Sequence, residues 1–272
     1  MKKFSLIDVQ NTEDFRGIDL QRVGVKNVEM PLNIIQKDGQ QQTVHALATI
    51  SVDLPSHFKG THMSRFIEIL NEWRSKNLLS MDLQGCLSQI IDKLGASNAY
   101  LKLKFTYFLE KKAPISELIA PMGYLTSFEG ILTDNKYEFI LTVTVPTTTL
   151  CPCSKEISDY GAHNQRANVK IKLSYDPDQI IWIEDLVAMV ENYGSSPVYP
   201  LLKREDEKYV TEKAYNNPKF VEDVIRDLVC DLRKIDCLYW YEVECEAFES
   251  IHNHSAWAYQ KELLQKTPEI KE

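Results

Sequence analysis

Apolar and polar residues alternate over much of the chain. From Arg22 to Ile35 the apolar positions Val23, Val25, Val28, Met30, Leu32 and Ile34 favour an extended strand. A second strand is predicted from Thr43 to Leu54, with Val44, Ala46, Ala48, Ile50 and Val52 on one face. Lys37-Asp38-Gly39-Gln40 between them is a hairpin signal, because Asp-Gly is favoured where both turn residues take positive φ. The period then changes. Met63, Phe66, Ile67, Leu70 and Trp73 form one helical stripe, and Leu83, Leu87, Ile90, Ile91 and Leu94 form another that ends at Gly95. Strands return over residues 98–109 and 115–128. The first half therefore reads strand, strand, helix, helix, strand, strand.

The second half repeats that order. Strands are predicted over 137–145 and 168–175, followed by a helix over 181–191. A second helix is expected to start with Asn217 as cap and Pro218 at its first position, carrying Phe220, Val221, Val224, Ile225, Leu228 and Val229. A last strand runs from Cys237 to Phe248, with an extended tail through Trp257. The connection from Gly194 to Lys208 is long for a compact domain and points to function or mobility. The expected fold class is α+β, with antiparallel sheets and helices on one face. Residues 1–21 read as a polar arm, 22–132 as a first module and 133–272 as a second.

With 272 residues, 44% of them hydrophobic, the chain can bury a substantial core. A net charge of -8 without a Lys/Arg-rich stripe argues against nucleic acid as a partner. The first eight residues hold no apolar core of a signal peptide, and no apolar run approaches the roughly 20 residues a membrane span needs. The expected location is cytoplasmic, where the six cysteines stay reduced. Cys86, Cys230, Cys237 and Cys245 fall in apolar patterns and read as core residues.

Chemistry concentrates between Pro146 and Arg166. Cys151 and Cys153 flank one proline, and His163 follows on the same connection. One intervening residue makes joint tetrahedral ligation by both thiols awkward, so one thiolate on a metal with the other beside it is expected. Glu249-Ser250-Ile251-His252-Asn253-His254 offers two imidazoles that share a direction if the backbone is extended, with a carboxylate nearby. Lys59-Gly60-Thr61-His62-Met63-Ser64-Arg65 opens the first helix. It reads either as an anion site or as a plain cap formed by Thr61.

These segments, together with Asp206-Glu207-Lys208 and Asn217-Pro218-Lys219-Phe220-Val221-Glu222-Asp223, lie in an order that resembles the GTP cyclohydrolase IB family of the tunnelling-fold superfamily. The resemblance implies two tandem tunnelling-fold ββααββ modules assembled into a homotetramer, with active sites at subunit interfaces. It implies hydrolytic opening of the guanine ring of GTP, release of C8 as formate and reclosure to 7,8-dihydroneopterin triphosphate. Cys151, His163 and Glu207 would hold a divalent metal, Mn²⁺ or Zn²⁺, and Glu222 would anchor the guanine edge. Cys151, Cys153, Glu249, His252 and His254 would form the catalytic group, and His62, Ser64 and Arg65 would contact the triphosphate. Three alternatives stay open: an archaeal-type enzyme releasing a 2′,3′-cyclic phosphate, another tunnelling-fold enzyme acting on a pterin or deazapurine, and a non-catalytic zinc-stabilised assembly protein.

Overall fold

The computed structural model describes residues 8–10, 12–74, 76–78 and 80–264; residues 1–7 and 11 of the expected polar arm fall outside them. The chain divides into two compact units, one comprising the chain up to Phe105 plus Phe128–Phe139, the other Thr106–Ser127 plus everything from Ile140 onward. Fold class is as expected, a mixed α+β architecture of antiparallel sheet with helices on one face.

In the first unit β1 (Leu20–Ile35) and β2 (Gln41–Leu54) pair antiparallel, and β2 pairs with β4 (Asn98–Lys112). A two-residue strand, β3 (Asn77–Leu78), adds to the outer side of β1 in parallel. The predicted inward face of β2 is buried throughout. At the hairpin only Gly39 takes positive φ, 83°, so the turn is not of the type with two left-handed residues. Two helices, α1 (Met63–Trp73) and α2 (Asp82–Leu94), cover this unit. Helix α2 ends as read, with Gly95 left-handed at φ 65°. Helix α1 is rotated from the predicted stripe: Phe66, Ile69 and Leu70 are buried, while Met63 and Ile67 are exposed. Its N-cap is His62, not Thr61, and no side chain caps it.

In the second unit β6 (Lys136–Leu150) and β7 (Asn164–Tyr175) form a long antiparallel pair. β7 pairs with β9 (Leu238–Ala247), and β9 with β10 (Ala256–Leu263). The stretch after Phe248 is a bent connection rather than an extended tail, and a further strand begins at Ala256. β5 (Ile119–Thr133), like β4 and β6, contributes residues to both units. Helices α4 (Ile183–Tyr193) and α6 (Val221–Leu232) bury apolar stripes, α6 through Val221, Val224, Ile225, Leu228, Val229 and Leu232. Cys86 and Cys245 are core residues, whereas Cys230, on the outer face of α6, is exposed. Burial pushes the Cys245 thiol up to about 12, with the nearby Glu222 charge acting in the same direction.

The connection after Gly194 is structured. Ser196–Pro197 (β8) pairs with Thr147 and Thr148 of β6, and α5 (Arg204–Asn216) follows. A Cβ on Gly194 would lie 1.8 Å from Thr147 Oγ1, so only glycine allows the backbone this close. Asn217 ends α5 instead of starting the next helix; its side-chain amide donates to Gly194 O at 3.0 Å. Phe220 is the N-cap of α6.

The start of α5 is fixed by Asp206, which is fully buried. Its carboxylate accepts from Ile115 N at 2.8 Å, Ser116 N at 2.9 Å, Ser116 Oγ at 2.6 Å and Lys203 N at 2.8 Å. Burial alone would raise the Asp206 pKa, but these donors outweigh it and hold the carboxyl well below the usual range. Ser116→Ala should cost about 2 kcal/mol, because a hydrogen bond to a charged group is lost, and should lower the urea midpoint at pH 7. The folded-state pKa is depressed, so this stabilisation is complete above the ordinary carboxylate value near pH 4. It is lost as pH falls further, and the midpoints of wild type and Ser116→Ala should approach each other there.

Candidate active site at the neck of the β6–β7 hairpin

Register brings the first two chemical residues together. Leu150 pairs with Asn164 at the end of the β6–β7 ladder, and Cys151 N donates one step further to His163 O at 3.1 Å. Side chains alternate along a strand, so Thr149 and Cys151 share a face with Gln165 and His163. The intervening residues begin as a short helix, α3 (Pro152–Ile157), with Cys151 as N-cap. Cys151 Sγ accepts from Ser154 N at 3.4 Å. Ser154 Oγ donates to Cys151 O at 3.1 Å and accepts from His163 N at 3.2 Å, bridging the neck.

A cleft of about 470 Å³ opens beside this neck, within the range of small-molecule sites. The hairpin supplies Cys151, His163 and Gln165 to its wall. The turn into α6 supplies Lys219 and Glu222, and the β9–β10 connection supplies Glu249, His252 and His254. Lys219 N donates to Leu150 O at 3.0 Å, which docks the start of α6 on the end of β6. Glu222 is exposed at the rim, in the first turn of α6. His252 and His254 are exposed and their rings stack at 5.0 Å, but they lie in a bent connection, not on a strand end.

Gln165, a residue the sequence analysis does not single out, takes a central position. It is buried, with Nε2 3.1 Å from Thr149 Oγ1 and 3.2 Å from Glu249 Oε1. Its Oε1 lies 2.9 Å from His163 Nδ1, while Glu249 Oε2 is 3.6 Å from the same nitrogen. The cross-strand signal for this row was present in the alternation, but the register that aligns it was not.

The other expected residues lie apart from the cleft lining. Cys153 is exposed on α3. Glu207 is exposed in the first turn of α5. Among the described residues no three His, Cys, Asp or Glu side chains form a ready ion cage. The donor chemistry of the neck nevertheless suits a divalent ion: a thiol with a backbone N–H on its sulfur, and an imidazole engaged at Nδ1 that leaves Nε2 as the ligating nitrogen.

His62, Ser64 and Arg65 belong to the first unit. There Lys59 N and Gly60 N donate to Thr12 O and Gln10 O at 3.1 Å each, so two amides of the expected anion turn are already bonded. Arg65 donates to Lys93 O at 3.1 Å, and His62 Nε2 is 3.2 Å from Asp8 Oδ2. A cavity of about 420 Å³ in this unit runs between Asp19, Ser51, Asp53 and Asn98, and no cysteine or histidine lines it.

Comparison with known proteins decides the family. A family model described as type I GTP cyclohydrolase folE2 matches residues 6–258. The chain belongs to this family. A GTP cyclohydrolase FolE2 of Citrifermentans bemidjiense is 51% identical over 258 residues, covering 95% of each protein. That of Geobacter metallireducens is 51% identical over 251 residues, covering 92% of this chain and 95% of the relative. Among solved structures, a uricase from Arthrobacter globiformis superposes with TM-score 0.52 at 5% identity, covering 93% of this chain and 96% of that one. A uricase from Bacillus fastidious gives 0.51 at 10% identity, covering 93% and 99%. These two likenesses concern fold only.

The neck geometry is directly testable. Ser154→Ala removes the acceptor of His163 N–H, and exchange of that amide should rise about tenfold, equivalent to about 1.4 kcal/mol. Amides in the middle of β7, such as Ile171, should be unchanged.

Proposed function

We propose that this chain is a metal-dependent GTP cyclohydrolase of the IB type. It converts GTP and water to formate and 7,8-dihydroneopterin 3′-triphosphate, the entry to folate-type pterins. The observation that carries this reading is the gathering of Cys151, His163, Glu222 and Glu249 around one cleft in a chain of this family.

Cys151 and His163 would hold the metal from the hairpin neck, with Glu207 as third ligand. When bound, a divalent ion lowers the pKa of water and so supplies a nucleophile at neutral pH. A thiolate ligand suits Zn²⁺, and carboxylate-rich surroundings tolerate Mn²⁺. Glu222 at the rim accepts from the guanine N1–H and 2-amino group, whose adjacent donors match its two oxygens. That contact fixes which edge of the purine faces the neck. His252 and His254 line the same cleft, where they exchange protons with N7, N9 and the ribose ring oxygen as the rings open and reclose. Glu249 backs the His163 side of the cleft from the β9–β10 connection, and Cys153 supports the group from α3.

The triphosphate contacts fall to His62, Ser64 and Arg65, contributed by a neighbouring subunit. This places the active sites of a homotetramer at subunit interfaces. In this reading the first module ends at residue 132 and the second begins at 133. Among the described residues no helix is long and apolar enough to cross a membrane. All six cysteines are unpaired, which supports a cytoplasmic location.

Incubation with GTP and Mn²⁺ should yield formate and, after oxidation, a fluorescent pterin. Cys151→Ala should lose metal retention and lower turnover by on the order of 10³-fold, since both ligand and activated water go together. Substantial turnover by that variant would overturn the assignment.

A further inference from the structure

Gln165 is the only side chain that touches Thr149, His163 and Glu249 at once in the described structure. Its position follows from the sheet. Thr149 is its partner in the β6–β7 ladder, and Ala167 pairs with Ala247 between β7 and β9. Two residues beyond that last pair, Gln165 and Glu249 come level on the same face. β6, β7 and the connection just past the end of β9 thus deliver a hydroxyl, an amide and a carboxylate in one row beside His163.

The row determines which way the amide points. An ionised carboxylate only accepts hydrogen bonds, so the group facing Glu249 Oε1 at 3.2 Å must be the amide NH₂. Its second hydrogen reaches Thr149 Oγ1 at 3.1 Å. Both donors are then used, and the remaining atom, Oε1, faces His163 Nδ1 at 2.9 Å. A carbonyl oxygen cannot donate, so the hydrogen of this bond belongs to the imidazole. With Nδ1 protonated in the neutral ring, Nε2 carries the lone pair.

We infer that Gln165 is a positioning residue: held by Thr149 and Glu249, it fixes His163 as the Nδ1–H tautomer and so presents Nε2 to the metal. Glu249 acts through the amide, since its own approach to Nδ1, 3.6 Å, is longer than a hydrogen bond. The arrangement extends the proposed function by naming what orients one of its ligands. It rests on that reading only where metal affinity is concerned. Partners of this kind, one shell out from a metal, typically change affinity by about 10–100-fold when removed.

The test uses the full-length, metal-free protein. Long-range ¹⁵N–¹H correlation should show the His163 ring of the wild type as the Nδ1–H tautomer. In Gln165→Leu that preference should be lost, and the Kd for Mn²⁺ should weaken by about 10–100-fold. Thr149→Val, which frees only one of the two amide hydrogens, should shift both readouts in the same direction by less. A wild-type ring protonated at Nε2, or a Gln165→Leu protein with tautomer and Kd unaltered, overturns the positioning role. The wild-type spectrum decides even if Gln165→Leu fails to fold. The two readings fail separately: equal Mn²⁺ affinity in wild type and Cys151→Ala would remove the metal assignment while the tautomer still tests Gln165.

Discussion

The backbone hydrogen bond from Cys151 N–H to His163 C=O is the constraint on which the site depends. It closes the β6–β7 ladder one step beyond Leu150 and Asn164, and places two metal-competent side chains across from each other on one face. Without that closure the twelve positions separating Cys151 from His163 would be a free loop, and ordering it would cost conformational entropy residue by residue. The ladder makes the pair a property of the sheet. Ser154 fastens it a second time, through the carbonyl of one residue and the amide of the other.

Everything around the neck braces β6. The two-residue strand β8 lies against Thr147 and Thr148, Ser195 Oγ accepts from Leu150 N at 2.9 Å, and Asn217 holds the Gly194 carbonyl. The amide of Lys219 on Leu150 O then sets where α6 begins, and with it the position of Glu222. A residue proposed to hold the substrate is therefore referenced to the same strand end as the residues proposed to hold the metal. Asp206 anchors α5 by the same means, a buried charge surrounded by donors. Preorganisation of this kind relies on rigid elements, with the more exposed histidines carried on the connection between β9 and β10.

Strand alternation was legible because burial follows the period-two pattern: Val44 to Val52 and Val169 to Leu173 are all interior where the pattern put them. The helix α5 was not, since Arg204 to Asn216 buries only Asp206 and Ala214 and therefore has no apolar stripe to read. Asn217-Pro218 carries the signature of a helix start, yet Asn217 closes the preceding helix; a junction between two helices presents the same residues as an entry. Cys151 and His163 stood out by residue type. Gln165 did not, because its meaning lies in its cross-strand neighbours, and periodicity gives the face of a residue without the register of its partner.

The central claim is that Cys151 and His163 share one divalent ion. X-ray absorption at the metal edge of the Zn²⁺-reconstituted enzyme reads its ligands directly. The account predicts one sulfur at about 2.3 Å together with imidazole nitrogen at about 2.0 Å. A shell of oxygen and nitrogen without sulfur, in protein that turns over GTP, would contradict it.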